Sequence, residues 1–189
     1  MQMTNRKRKF IVIALVALLL TLLAQNTLAY YTSIGKATNV VTSGDIKLRI
    51  HETTTGGKPF PVEEGVEVIP GDVVDKRVFV ENVCDHPFWL RVKLVYGTNS
   101  KTLDPQQVLQ ITDLNEKQWI LHEGYYYYYR PLQPKQKTEP LFESVLITGS
   151  LVDQHNAEEM LSLTVKTYAV QSENNPGANP WDVSGWPVD

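Results

Sequence analysis

Residues 88–96 read FWLRVKLVY, and the period of this run decides the fold. Phe88, Leu90, Val92 and Leu94 fall on every second position, with Arg91 and Lys93 between them. Successive side chains of a strand point to opposite sides of its sheet, so this pattern describes one face in a core and the other in water. The same alternation occurs in DIKLRIH (45–51) and LSLTVKTYAVQ (161–171). RVFVENV (77–83) and ESVLITGSLV (143–152) are apolar at both parities and are expected to be central strands covered on both faces. Turn-forming clusters separate the runs: TTGGKP (54–59), IPGD (69–72), YGTNS (96–100), PLQPKQ (131–136) and ENNPGANP (173–180). Short strands so punctuated predict an all-β fold, an antiparallel β-sandwich over residues 45–172. One helix is expected in DPQQVLQI (104–111), with Asp104 as cap and Pro105 in the first helical position.

Five consecutive tyrosines, Tyr125–Tyr129, follow WILHEG (119–124). Treated as one strand from Trp119, alternation puts Trp119, Leu121, Tyr125, Tyr127 and Tyr129 on the core side. Ile120, His122, Tyr126, Tyr128 and Arg130 then face outward, which makes Tyr126 and Tyr128 candidate surface aromatics. Tyrosine suits either face, being apolar along its ring and polar at its tip. The tail, residues 173–189, is rich in Asn, Pro and Gly and carries Trp181 and Trp186. These indoles are expected to fold back on the sandwich or to form an exposed binding spot.

The chain begins with NRKRKF (5–10), four cations ahead of the apolar run IVIALVALLLTLL (11–23). A helix needs about 20 apolar residues to span a bilayer. This run is shorter and suits the core of a signal peptide, residues 1–29, cut between Ala29 and Tyr30, with Ala24 as the alternative site. The expected product is secreted and meets the membrane only through that peptide before cleavage; an uncleaved anchor is the other possibility. The whole chain has 18 Lys+Arg and 21 Asp+Glu, and removal of the four signal cations leaves a balance of −7. Such an acidic domain is a poor partner for nucleic acid. Cys84 is the single cysteine, so no internal disulfide can form, and a lone thiol among strand residues is expected as a small buried hydrophobe.

Catalytic patterns are sparse. HETTT (51–55) and HEGYY (122–126) start like zinc-protease helices but lack the second histidine four residues on. Cys84, Asp85 and His86 are contiguous, and adjacent residues of a strand or turn point in different directions, which argues against a working dyad. No phosphate-binding glycine loop and no nucleophile elbow occurs. No catalytic residue, metal ligand or cofactor is therefore assigned.

The order of several motifs resembles the TasA/camelysin-like family of exported proteins from Gram-positive bacteria. AYYTSIGKATNVVTSGDIKLRI (29–50) is similar to that family's segment across its cleavage site, with Ala29, Tyr30, Tyr31, Asn39 and Gly44 in the matching places. VIPGDVVDKRVFVENVCDHPFWLRVKL (68–94), YYYYYRPLQPKQKTEPLFESVLI (125–147), VKTYAVQSEN (165–174) and GWPVD (185–189) follow in the family's order. The chain departs at PKQKT (134–138), where the family has Pro-Gly-Glu before the Thr. The resemblance implies a jelly-roll-like sandwich at the cell surface or in a biofilm matrix, released by a dedicated ER-type signal peptidase. It also implies fibres built by self-association or with related matrix subunits. Residues 30–44 would be freed by cleavage, and Tyr30, Tyr31, Ile34, Val40 and Val41 make them strand-prone. They are expected either to add to a neighbour's sheet edge or to form the first strand of their own domain. The expected function is that of a non-enzymatic structural subunit. The alternatives are a carbohydrate- or surface-binding module and, behind it, a metalloendopeptidase of the camelysin type.

Overall fold

A computed structural model describes residues 39–42, 46–62, 65–148, 160–173 and 175–187. The fold is all-β and sandwich-like, as the alternating runs predict. The first sheet has the order β1-β10-β5-β8-β7, from β1 (Asn39–Thr42), β10 (Leu161–Gln171), β5 (Phe88–Thr98), β8 (Tyr125–Tyr128) and β7 (Trp119–His122). Its long central pair aligns Gln171 with Phe88 and Leu161 with Thr98, antiparallel over eleven residues. Its one parallel pairing joins β1 to β10, Asn39 opposite Lys166 and Thr42 opposite Ala169.

The second layer holds β2 (Leu48–Thr53) paired with β4 (Arg77–Asn82), and β3 (Val73–Asp75) with β9 (Ser144–Ile147) and β6 (Leu109–Thr112). Only Lys76 separates β3 from β4, and residues 136–147 run beside both. Lys76 N–H donates to the Glu143 carbonyl, Leu141 to Val78, Thr138 to Val80 and Asn82 to Gln136. The two small sheets are thus bridged into one layer. Between the layers lie Val78, Val80, Phe88, Leu90, Val92, Trp119, Phe142, Val145, Leu163 and Val165, all essentially inaccessible.

Several expectations change once the chain is paired. β4 and β9 are central within their layer, yet both alternate buried and half-buried positions, so one face of each is covered rather than two. The helix is one turn, α1 (Pro105–Val108), with Asp104 Oδ1 accepting from Gln106 N–H at 3.0 Å. Leu109 then enters β6, because its extended backbone is taken up by the ladder to Ile147. Lys135 holds φ +62 in the turn at 134–138, the left-handed conformation that glycine adopts most easily.

Trp119–Tyr128 is a hairpin rather than a single strand, turning at Glu123 (φ +47) and Gly124 (φ +80). Two positive φ angles in a two-residue loop are the geometry of a type I′ turn. The reversal pairs Trp119 with Tyr128 and Leu121 with Tyr126, so parity switches at the turn. Tyr126 and Tyr128 are not surface aromatics. Tyr128 is buried against Trp119, ring centroids 5.2 Å apart, and half-buried Tyr126 packs on the core. Tyr125 and Tyr127 take the outer face with Ile120 and His122, while Leu121, opposite Tyr126 near the hairpin tip, is exposed.

Burial pushes the Tyr126 and Tyr128 phenols above the ordinary tyrosine range, and Tyr96, also packed on this core, up to about 12. A phenol whose folded pKa is raised binds its proton more tightly in the folded state. The stability it contributes is complete below the unfolded value near 10 and is lost as pH rises through the folded value. Urea midpoints should therefore fall between pH 10 and 12, and Tyr96→Phe should flatten that fall.

An ion pair is buried in the second layer. Lys76 is wholly inaccessible, its Nζ 3.2 Å from Glu52 Oε2 and 4.6 Å from the centre of the Phe60 ring. Removing one partner leaves a charge uncompensated in an apolar site, which costs about 3–5 kcal/mol, whereas replacing both can be neutral. Urea unfolding should show Glu52→Leu destabilised by about that amount, with the Glu52→Leu/Lys76→Met pair recovering most of it.

Candidate functional site

The outer face of the first sheet is where the structure brings unusual chemistry together. On β5 the inward positions are Phe88, Leu90, Val92 and Leu94, as expected, but Trp89 and Arg91 on the other side are buried too. The water expected there is replaced by residues 175–187 of the tail, which lie across the face.

Arg91 is the centre of the arrangement and is only 9% exposed. Its guanidinium carbon is 3.9 Å from the Tyr125 ring centre, 4.8 Å from Trp186, 5.2 Å from Tyr168 and 5.9 Å from Tyr127. Nη1 donates to the Tyr127 hydroxyl at 3.1 Å, and Nη2 to the Pro187 carbonyl at 2.8 Å. The register explains the grouping, since Arg91 lies opposite Tyr127 on β8 and Tyr168 on β10. A planar guanidinium can stack on rings and donate in its plane at the same time, which an ammonium cannot do.

The tail reaches this face in a defined shape. Asn175 clamps it, donating from Nδ2 to the Ser184 carbonyl at 2.8 Å and accepting on Oδ1 from Ser184 N–H and Oγ–H. A 3-10 turn, Pro180–Asp182, is closed by Asp182 Oδ2, which accepts from Asn179 N–H and Nδ2–H. Gly177 is required by proximity: a Cβ there would lie 2.7 Å from the Asn179 carbonyl oxygen and 2.8 Å from Val183 Cγ2. Trp181 stacks on His122 with centroids 4.8 Å apart, and Trp186 meets Tyr127 edge-on at 5.6 Å. Trp89 Nε1 donates to the Asn175 carbonyl, and Trp89, Val170 and Val183 form a small apolar cluster under Trp186.

Of the residues singled out in the sequence, Trp181 and Trp186 are on this face, folded back rather than free. Val40 and Val41 are in β1, opposite Thr167 and Tyr168. Ala29, Tyr30, Tyr31 and Ile34 lie outside the described residues. Arg91, Trp89, Tyr125, Tyr127 and Tyr168 complete the face and were not picked out. Gly124 was the available signal, because a glycine between two strand-forming runs marks a turn that changes which tyrosines face outward.

The other chemical candidates disperse. Cys84 is buried, its Sγ 2.9 Å from Asn82 Oδ1, while Asp85 pairs with Lys135 at 2.9 Å and the His86 ring approaches Glu173 at 3.8 Å. His51 Nε2 lies 2.7 Å from Glu81 and its ring stacks on Phe79 at 4.8 Å. That histidine with Lys137 and Arg49 holds the Glu81 carboxyl below its usual range. Among the described residues, no three His, Cys, Asp or Glu side chains come together as metal ligands. A 310 Å³ cleft between Phe60, Val66, Val68 and Val74 carries Asp72 and Asp75, both engaged: Asp75 accepts from Thr55, and Asp72 from Ile69 N–H.

No protein-family model matches the chain, and no curated protein or solved structure matches it either. The Arg91 face itself offers stacking planes, a forked donor and apolar anchors, which are groups suited to holding a segment of polypeptide. Trp186→Ala should cost about 2 kcal/mol in urea unfolding, from lost cation–π contact and burial. It should also make residues 173–187 newly sensitive to limited proteolysis, with the far-UV spectrum of the sandwich unchanged.

Proposed function

We propose that this protein is a secreted, non-enzymatic structural subunit of the cell surface or biofilm matrix that assembles by N-terminal strand addition. The observation that carries the reading is β1. It is a four-residue strand at the end of the sheet and parallel to its neighbour, while the other pairings are antiparallel. It covers Lys166–Ala169 of the eleven-residue β10, and among the described residues no other strand pairs with that edge. A short edge strand held by one ladder is readily exchanged for the same segment of another copy, which would supply identical backbone bonds. The cationic and apolar start of the chain, the aromatic and β-branched composition of residues 30–41, and the similarity of motif order to the TasA/camelysin-like family support the same reading.

A carbohydrate-binding module remains the second reading, favoured by the half-exposed Trp181 stacked beside His122. Tyr126, turned to the core, takes no part in it.

Electron microscopy of the protein cleaved after Ala29 should show fibres. Val40→Pro/Val41→Pro removes two N–H donors from the strand and should abolish them, with the far-UV spectrum preserved. Wild-type particles that stay monomeric across pH and concentration would overturn the proposal. Glycan binding lost on Trp181→Ala would favour the second reading.

A further inference from the structure

The outer face of the five-stranded sheet holds the chain's own tail, and we infer that it also receives the C-terminal segment of a second copy, so that tails can be exchanged between subunits. This linkage is separate from strand addition at β1 and uses different residues.

The tail is held as a bound peptide is held. Beyond the junction at Gln171–Ser172, the sheet contributes side chains and no ladder among the described residues: the Trp89 indole, the Arg91 fork, the His122 and Tyr127 rings, and Val170. The Asn175–Ser184 clamp, the Asn179–Asp182 cap and the close approach at Gly177 lie wholly within the segment. The shape that fits the face is therefore carried by the segment itself, which lowers the ordering cost of binding in trans as in cis. Covalent attachment to β10 is not needed for the fit.

Charge points to the same occupant. The outward positions of β5, β7, β8 and β10 include Arg91, Lys93 and Lys166 and no acid, although the whole chain is acidic. Lys93 and Lys166 are directly opposite each other in the central pair. Residues 173–189 carry Glu173, Asp182 and Asp189 and no Lys or Arg. The exchange is favoured where copies are crowded. A short tether gives the local tail an effective concentration of the order of millimolar, which packed subunits can match.

Two full-chain variants divide the interaction. Arg91→Ala keeps an intact segment but lacks the fork, whereas Trp181→Ala/Trp186→Ala keeps an intact face but lacks the anchors. Sedimentation velocity should show each variant without tail-linked dimers and a heterodimer on mixing. Addition of all three substitutions to one chain should give a protein that pairs with neither. Failure of the mixture to form heterodimer, with both variants retaining native far-UV spectra, would overturn the inference. Equal association by the triple variant would also overturn it, leaving strand addition untouched. If Arg91→Ala does not fold, Arg91→Lys substitutes for it in the mixture. It retains the charge without the fork, so it should release its own tail and pair with the double variant, and an absence of pairing there overturns the inference as well.

Discussion

A guanidinium removed from water has to be given back its hydrogen bonds and its electrostatic surroundings, and the outer half of this protein is organised by how Arg91 obtains them. Rings of Tyr125, Tyr168 and Trp186 supply the negative faces, and the Tyr127 hydroxyl and Pro187 carbonyl accept in the plane. These partners come from three different stretches of chain: the second arm of the hairpin, the last strand and the tail. Arg91 can therefore be buried only when the hairpin is in register and the tail is down. The cost of leaving it half-satisfied couples three otherwise separate elements.

That coupling explains why the first sheet is covered on both faces while the second is covered on one. In the core, Phe88, Leu90, Val92 and Leu163 meet Val78, Val80 and Phe142 of the other layer through ordinary apolar contact. On the far side Trp89, Val170 and Val183 make a second, smaller apolar patch. A patch of that size gives limited stabilisation, and the cation, the indoles and the Asn175 clamp define the tail's position. The resulting surface holds a segment of polypeptide, the chain's own residues 175–187.

Alternation in FWLRVKLVY and LSLTVKTYAVQ identified the two long strands and their inward residues, because a period of two admits one arrangement against a core. The capping position of Asp104 and the isolation of Cys84 were legible for similarly local reasons. The tyrosine run was not, since its parity depends on whether Glu123–Gly124 continues a strand or reverses it. A two-residue turn exchanges the faces of everything beyond it, so one local conformation moved Tyr126 and Tyr128 inward and Tyr125 and Tyr127 outward.

The amino-acid sequence alone thus determined the all-β class and the inward face of the central strands, and it left the tail indoles either folded back or exposed. Tertiary structure alone decided that Arg91 is buried, which tyrosines surround it, and that β1 lies parallel on β10. The division follows from range. Side-chain alternation and capping are set within a few residues, whereas a buried cation is permitted only by partners that the chain brings from 34 to 96 residues away.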